Sequence, residues 1–468
     1  MVKKRRGLAA EAKPASSRAA GMTFRRMPDS IERISVSGFK SIASEQSIAV
    51  APLTILAGAN SSGKSSMLQP LLLLKQTLEA PYDPGPLLLE GPNVKFTSSE
   101  QLLFRSRDGS HQSEFSVQLE LESAEALRFH FKKGKEIGLS LCETAIAAQE
   151  TKLSLHPDMS SDDLRNALPE HYRKRFFFPL EKRGQTPGNA PTWEVYRDRC
   201  FFRIAAKVGK GLRIELPPAA PMSVNDDTRR AILSTIHLPG LRGNPERTYP
   251  VTAAGPRFQG TFQNYAASVI AQWQQAADGR LEQLGECLRD LGLTWKVQTK
   301  PVDETKVELR VGRMPEPQRG GAHDMVSIAD VGVGVSQVLP VVVALLVSEP
   351  GCLVYLEQPE IHLHPRAQVQ LARLLVDAAN RGVKVVAETH SALLLLSVQT
   401  LIVRGDLSPD SVRLHWFTRT DGVTNVHTAD LRRDGSFGDW PEDFGDVQLQ
   451  SQREYLDAVE QLQLALRP

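Results

Sequence analysis

Cysteine is scarce in this chain: Cys142, Cys200, Cys287 and Cys352 are the only four in 468 residues, and no two form a CxxC pair. A disulfide framework and a cysteine-built zinc site are therefore not expected, and a reducing compartment, the cytoplasm, fits. Net charge is nearly absent as well, with 56 Lys and Arg against 54 Asp and Glu. That balance gives no overall nucleic-acid signature, so any basic surface has to be local. No apolar run reaches the roughly 18 residues that a membrane-crossing helix needs. The basic N-terminus lacks the apolar stretch of a signal peptide. What remains is an ordinary globular composition, 41% hydrophobic and 24% charged, in a chain long enough for more than one lobe.

Against this plain background one stretch stands out. Gly58-Ala59-Asn60-Ser61-Ser62-Gly63-Lys64-Ser65 fits the phosphate-loop pattern of Gly, any four residues, then Gly-Lys-Ser. Residues 53–57, short and apolar, predict a buried strand before it, and the leucine run at 71–74 predicts a buried helix after it. In that context Gly58, Asn60, Ser61, Ser62, Gly63 and Ser66 can curl backbone N–H groups around phosphate oxygens at a helix N-terminus. Lys64 is expected to reach the β- and γ-phosphates of ATP, and Ser65 to hold Mg²⁺. A Gly/Ser surface loop is the alternative reading of the same letters. Pro70, past the first helical turn, predicts a kink.

Residues 1–30 read as a disordered basic tail, with Met22 and Met27 as further candidate starts. From Ile31 the segment "IERISVSGFKSI", a second strand near 48–50, and "LTILAGANSSGKSSML" together resemble the opening of ABC-type ATPases of the RecF, SMC and overcoming-lysogenisation-defect group. The resemblance covers roughly 31–105 and 230–446. It implies an α/β fold of the P-loop NTPase, ABC-ATPase type: a mainly parallel sheet with helices on both faces, an antiparallel strand layer and an inserted lid region. It also makes Gln101 a candidate for the glutamine that senses Mg²⁺.

Between the halves the pattern is less informative. Residues 115–119 and 212–216 alternate like strands. The stretch 170–186, "EHYRKRFFFPLEKRGQT", mixes basic residues with three Phe. It fits either base stacking on nucleic acid or, better, an apolar strand with basic flanks. In 236–255, "IHLPGLRGNPERTYPVTAAG", Arg242 and Arg247 are candidates to reach a phosphate across a dimer, with surface salt bridging as the alternative. Residues 265–293 have helical spacing, with a break expected at Gly279.

The second half carries three further motifs. "SIADVGVGVSQVLPVVVALLV" (327–347) puts a glycine turn ahead of an apolar helix, so that bare N–H groups face an anion. It resembles the ABC signature, which contacts the ATP of the opposite subunit. Gly334 and Gln337 take the signature places, Val333 stands where serine is usual, and Gly332 or Ser336 is the candidate substitute. "CLVYLEQPEIHLHP" (352–365) is a buried strand ending in an acid, as in a Walker B segment, and Glu357 fits the Mg²⁺ shell. General ABC sequences have a second acid next. Here that place is Gln358, an amide that cannot accept a proton, so Glu360 and then His390 become candidates for activating water. Glu360, His362 and His364 also permit a zinc site as an alternative. Residues 383–391 form a strand ending in "ETHS", which resembles the switch region whose histidine, His390, senses the γ-phosphate.

A strand pair at 412–427, a Trp-Pro-Glu-containing segment and a helix at 447–466 complete the chain. The expected units are a tail (1–30), an N-terminal ATPase half (31–105), an inserted lid (106–230), a C-terminal half (231–446) and a C-terminal helix (447–468). With no long heptad arm and no room for a Toprim nuclease, a stand-alone ATPase is expected. The resemblance implies an ATP-dependent homodimer or higher homo-oligomer that hydrolyses slowly. It implies a sensor for anti-phage defence with a separately encoded effector, such as a nuclease. A RecF-like chain that binds DNA directly and a non-hydrolysing ATP-locked scaffold are the alternatives.

Overall fold

The computed structural model describes residues 29–134, 138–148, 151–177, 191–208, 212–215, 223–252, 255, 257–316, 323–438, 453, 454 and 456. The expected basic tail up to residue 28, the Trp-Pro-Glu element and nearly all of the expected C-terminal helix lie outside them.

Strand β3 (Leu53–Gly58) is buried at all six positions, as a strand must be when it is paired on both edges and covered on both faces. Strand β17 (Lys384–Glu388) lies parallel to it on one side and β18 (Val412–Thr420) parallel on the other. Beyond β17 come β16 (Leu353–Glu357) and β11 (Ile236–Leu238), both parallel. Beyond β18 comes β19 (Val423–Ala429), the single antiparallel member. The sheet is thus mainly parallel.

Side chains of these strands alternate between two cores. Leu53, Ile55 and Ala57 of β3, with Val354, Leu356, Val385 and Ala387, join one core with the helices Ala266–Gln275, Arg280–Asp290, Val333–Val347, Pro365–Asn380 and Ala392–Val403. Leu56, Leu353, Tyr355, Val386 and Phe417 face the other, which holds the helix Lys64–Glu79. That second core is closed by an antiparallel sheet of β1 (Ile31–Ser37), β2 (Gln46–Ala49), β4 (Glu114–Leu121), β5 (Ala126–Lys133), β6 (Leu139–Ala148) and β7 (Thr151–Leu155). Helices on both faces and an antiparallel layer are what the α/β ABC-ATPase expectation describes.

The expected boundary at 105/106 falls inside one sheet, because β4 pairs with β1. Residues 114–155 therefore complete the N-terminal layer. A three-stranded sheet, β8 (Thr192–Asp198), β9 (Phe201–Val208) and β10 (Leu212–Glu215), docks on the same core, with Phe201 5.3 Å from Phe129 between ring centroids. Strands β12 (Tyr249–Pro250), β13 (Val297–Pro301), β14 (Lys306–Gly312) and β15 (Met325–Ser327) form a fourth sheet.

Three local expectations meet the structure differently. The helix Lys64–Glu79 runs through Pro70 without interruption, with Pro70 buried. Gly279 separates Ala266–Gln275 from Arg280–Asp290 as the sequence predicts. The basic-aromatic stretch is helical over 170–177, not a strand. Its Phe177 is buried and stacks on Trp193 at 3.5 Å between centroids, a core contact unavailable to a base. The remainder of that stretch lies outside the described residues. Among the described residues no helix is long and apolar enough to cross a membrane.

His415 of β18 ties the two sheets together. Its Nε2 donates to the Ala49 carbonyl of β2 at 2.8 Å, and its Nδ1 accepts from Thr428 at 3.0 Å. Burial pushes its pKa down to about 4. A histidine that resists protonation when folded costs stability once the unfolded chain can bind the proton. Stability is therefore expected to fall from the ordinary value of 6.5 down to about pH 4. About 3 kcal/mol is at stake. His415→Gln should flatten that limb in urea melts across the same window; an unchanged slope would refute the assignment.

Candidate functional site

The phosphate loop leaves the C-terminal end of β3, where parallel strands on both sides open a crevice. Gly58 (φ 142°) and Gly63 (φ 105°) adopt left-handed backbone conformations that favour glycine. A side chain at Gly58 would strike the Phe417 carbonyl, and one at Gly63 the Thr424 hydroxyl. The loop is clamped from outside. Thr424 Oγ1 lies 2.8 Å from both the Ser41 hydroxyl and the Ser62 carbonyl, and Thr424 N donates to the Ser41 carbonyl at 2.7 Å. Here is the physical role of the Phe-Lys-Ser segment: it braces the loop from one side while the β18–β19 hairpin braces it from the other.

Lys64 is buried, its Nζ donating to the carbonyls of Gly58 (2.9 Å) and Ala59 (2.8 Å). Burial lowers its pKa, opposed by the charges of Glu388 and Glu360. Ser65 Oγ lies 3.0 Å from both oxygens of Glu388. Ser62 Oγ is buried without a partner. The cleft is lined by Lys40, Ser41, residues 61–66, Gln69, Glu388 and Arg419. Asn60 is exposed at the loop's tip. Lys40 and Arg419 are cations that lie outside the phosphate-loop motif: Lys40 Nζ donates to Gln69 at 3.0 Å, and Arg419 to the Ser61 carbonyl at 3.3 Å.

Next to the loop, the ends of β16 and β17 bring the acids together. Glu357 and Glu388 are register partners. Glu357 Oε1 is 3.1 Å from His237 Nε2, and Oε2 accepts from Gly240 N at 3.2 Å. Burial alone raises the Glu357 pKa, but the His237 contact and the Gly240 N–H outweigh it and hold the carboxyl below its ordinary range. Burial pushes Glu388 the other way, above its ordinary range, with the Glu357 charge adding to it and the Tyr355 hydrogen bond opposing it.

Glu360 is buried and reaches the switch. One of its oxygens accepts from the Thr389 hydroxyl and from His390 N (3.1 Å), and Oε2 has no partner. His390 sits against the Gly58 carbonyl, with its pKa lowered by burial and by the Lys64 charge. Gln358 holds a positive φ of 44° and donates its N–H to the Glu388 carbonyl at 2.8 Å, a strained conformation of the kind that gathers at functional sites. His362 and His364 are exposed, and His364 Nδ1 caps the helix Pro365–Asn380 by accepting from Arg366 N. Glu360 turns inward, away from both. Among the described residues no three His, Cys, Asp or Glu side chains are placed to share a metal, so the zinc alternative has no support.

The signature glycines begin a separate face. Gly332 is the N-cap of Val333–Val347 with no side-chain capping bond and no neighbour within 4 Å of where its Cβ would be. Val333 is 45% exposed. Gly334 has room for an ordinary contact with the His362 carbonyl at 3.5 Å. Ser336 donates to the Val333 carbonyl and Gln337 Nε2 to the Gly243 carbonyl, so both side chains are engaged within the chain.

Two arginine expectations change. Arg242 is buried, donating to the carbonyls of Gln337 (3.2 Å) and Glu357 (2.9 Å), and burial pushes its pKa down to about 10. It fastens the signature helix to the end of β16 and is not free to reach across a dimer. Arg247 pairs with Asp330 at 2.9 Å on the surface beside the signature turn. Gln101 spends its amide on Thr97 N (2.9 Å) and Thr97 Oγ1 (3.0 Å), a local turn rather than a metal contact.

Against known proteins, a family model described as "AAA domain, putative AbiEii toxin, Type IV TA system" matches residues 53–397. No curated protein matches the chain. Similar solved structures include an SMC head bound to the C-terminal winged-helix domain of ScpA (12% identity, TM-score 0.47, covering 86% of this chain and 98% of that one). They also include the SMC head domain from Thermotoga maritima (10%, 0.39, 86% and 100%). A third is an SMC head with an extended coiled coil from Pyrococcus furiosus (11%, 0.41, 92% and 99%). The family model spans most of the chain, from β3 through the switch, and the parallel sheet carries the phosphate loop at its C-terminal edge: the chain belongs to this family of AAA-domain P-loop ATPases.

Proposed function

We propose that the chain binds Mg·ATP and hydrolyses it slowly, as a nucleotide-dependent dimeric sensor in anti-phage defence that passes its signal to a separately encoded effector. One observation carries the reading. The phosphate loop, Lys64, Ser65, Glu388 and the Glu360–His390 pair converge at one edge of the parallel sheet, while the catalytic-acid place holds Gln358. The donor set suits Mg²⁺, a hard cation that takes oxygen ligands: the Ser65 hydroxyl and a carboxylate from the paired strand ends, Glu357 or Glu388. When bound, the cation supplies charge neutralisation for the phosphates.

Each residue then has a task. Lys64 exchanges the Gly58 and Ala59 carbonyls for phosphate oxygens. The exposed N-terminus of Val333–Val347 offers N–H groups to the nucleotide of a second copy. Gln358 positions water without taking its proton, and the partnerless Oε2 of Glu360 is the atom available to accept it. A chain lacking a proximal base waits in its ATP form, which suits a sensor. Gln358 equally favours the ATP-locked scaffold, and steady-state phosphate release separates the two: none at all supports the scaffold.

Assembly is tested at Gly334. Alanine there meets only ordinary contacts, whereas tryptophan would occupy the face offered to a second subunit. Gly334→Trp should bind ATP like the parent yet lose ATP-driven association in light scattering. Equal association in both would make the glycine turn a helix start and nothing more.

A further inference from the structure

We propose that Glu388, at the end of β17, is the carboxylate that holds the divalent cation together with Ser65, a role the motif pattern gives to Glu357 at the end of β16. This rests on the reading of the crevice as a Mg·ATP site and names the acid within it.

Three observations converge. The Ser65 hydroxyl lies 3.0 Å from both Glu388 oxygens, an arrangement that places carboxylate and hydroxyl around one point. Topology explains why. Glu388 ends the strand hydrogen-bonded to β3, opposite Leu56, whereas Glu357 stands one strand farther out, about 4.8 Å more. Finally, Glu357 is already occupied by His237 of β11 and by Gly240 just after that strand, while Glu388 is steadied from behind by the Tyr355 hydroxyl at 2.8 Å. A ligand held by an outer partner keeps its orientation for a metal. The unpartnered Ser62 Oγ, 2% exposed and lining the same cleft, is an independent sign that the cleft is built to receive a polar group.

The test uses the full chain, Mn²⁺ as the probe and a non-hydrolysable ATP analogue. Mn²⁺ affinity is read by electron paramagnetic resonance, and nucleotide affinity in chelator by calorimetry. Glu388→Gln keeps the shape and the Tyr355 contact; it should weaken Mn²⁺ binding about 10–100-fold while leaving metal-free nucleotide affinity unchanged. Glu357→Gln should shift Mn²⁺ affinity far less. If Glu388→Gln melts early, Glu388→Asp provides the same comparison with charge retained and should fall between parent and amide. Mn²⁺ binding in Glu388→Gln equal to or tighter than the parent overturns the proposal, since Glu388 would then only hold the Ser65 hydroxyl. A larger loss in Glu357→Gln overturns it too. A parent chain that binds Mn²⁺ but no nucleotide refutes the ATPase reading while leaving the Ser65–Glu388 comparison intact.

Discussion

Lys64→Ala is expected to weaken ATP binding at least about 100-fold, because it removes two charge-assisted contacts worth about 1.5–3 kcal/mol each. The structure adds a second effect. The ammonium closes the loop on itself through the Gly58 and Ala59 carbonyls. Alanine removes that donor and leaves the buried Gly58 carbonyl to His390 alone, so the variant should also lose about 0.5–1.5 kcal/mol of stability. Calorimetry with ATP and a urea melt report the two separately. Parental ATP affinity in Lys64→Ala would remove the ground for an ATPase altogether.

Glu360→Gln is expected to lower turnover about 10²–10⁴-fold, the usual worth of a positioned general base, with ATP affinity unchanged. The substitution is selective for a structural reason. The oxygen that holds Thr389 and His390 N persists in the amide, so the switch stays anchored. Only the partnerless Oε2 becomes an NH₂ that cannot take a proton. Single-turnover phosphate release, read beside calorimetric ATP binding, separates the two roles. Undiminished turnover would dismiss Glu360 as the base and pass the question to His390.

The phosphate loop was legible because its chemistry is local. Glycines, lysine and serine at fixed spacing need nothing but the strand before and the helix after. The break at Gly279 was legible for the same reason. The residues that were misread all take their role from distant partners. Arg242 looks like a phosphate ligand until its guanidinium is seen buried against the backbone of Gln337 and Glu357. Gln101 looks like a metal sensor until Thr97 claims it. Glu388 was passed over because in the linear chain it only precedes the switch threonine and histidine; its position beside Ser65 exists only once β17 has paired with β3. The place of residues 114–121 was hidden likewise, since β4 alternates as an edge or an insert would, and only its pairing with β1 reveals the layer it joins.

The brace around the loop has a consequence for how the protein comes to exist. Gly58 rests against Phe417, and Ser62 against Thr424, residues that leave the ribosome more than three hundred positions after them. At about 5–20 residues per second the glycine loop waits many seconds for its outer wall, and β3 waits as long for one of its two neighbours. Contacts this remote in sequence form slowly. A nascent chain, or one cut before β18, therefore has the full nucleotide motif and no finished nucleotide pocket, so competence to load ATP arrives only once β18 and β19 have been made.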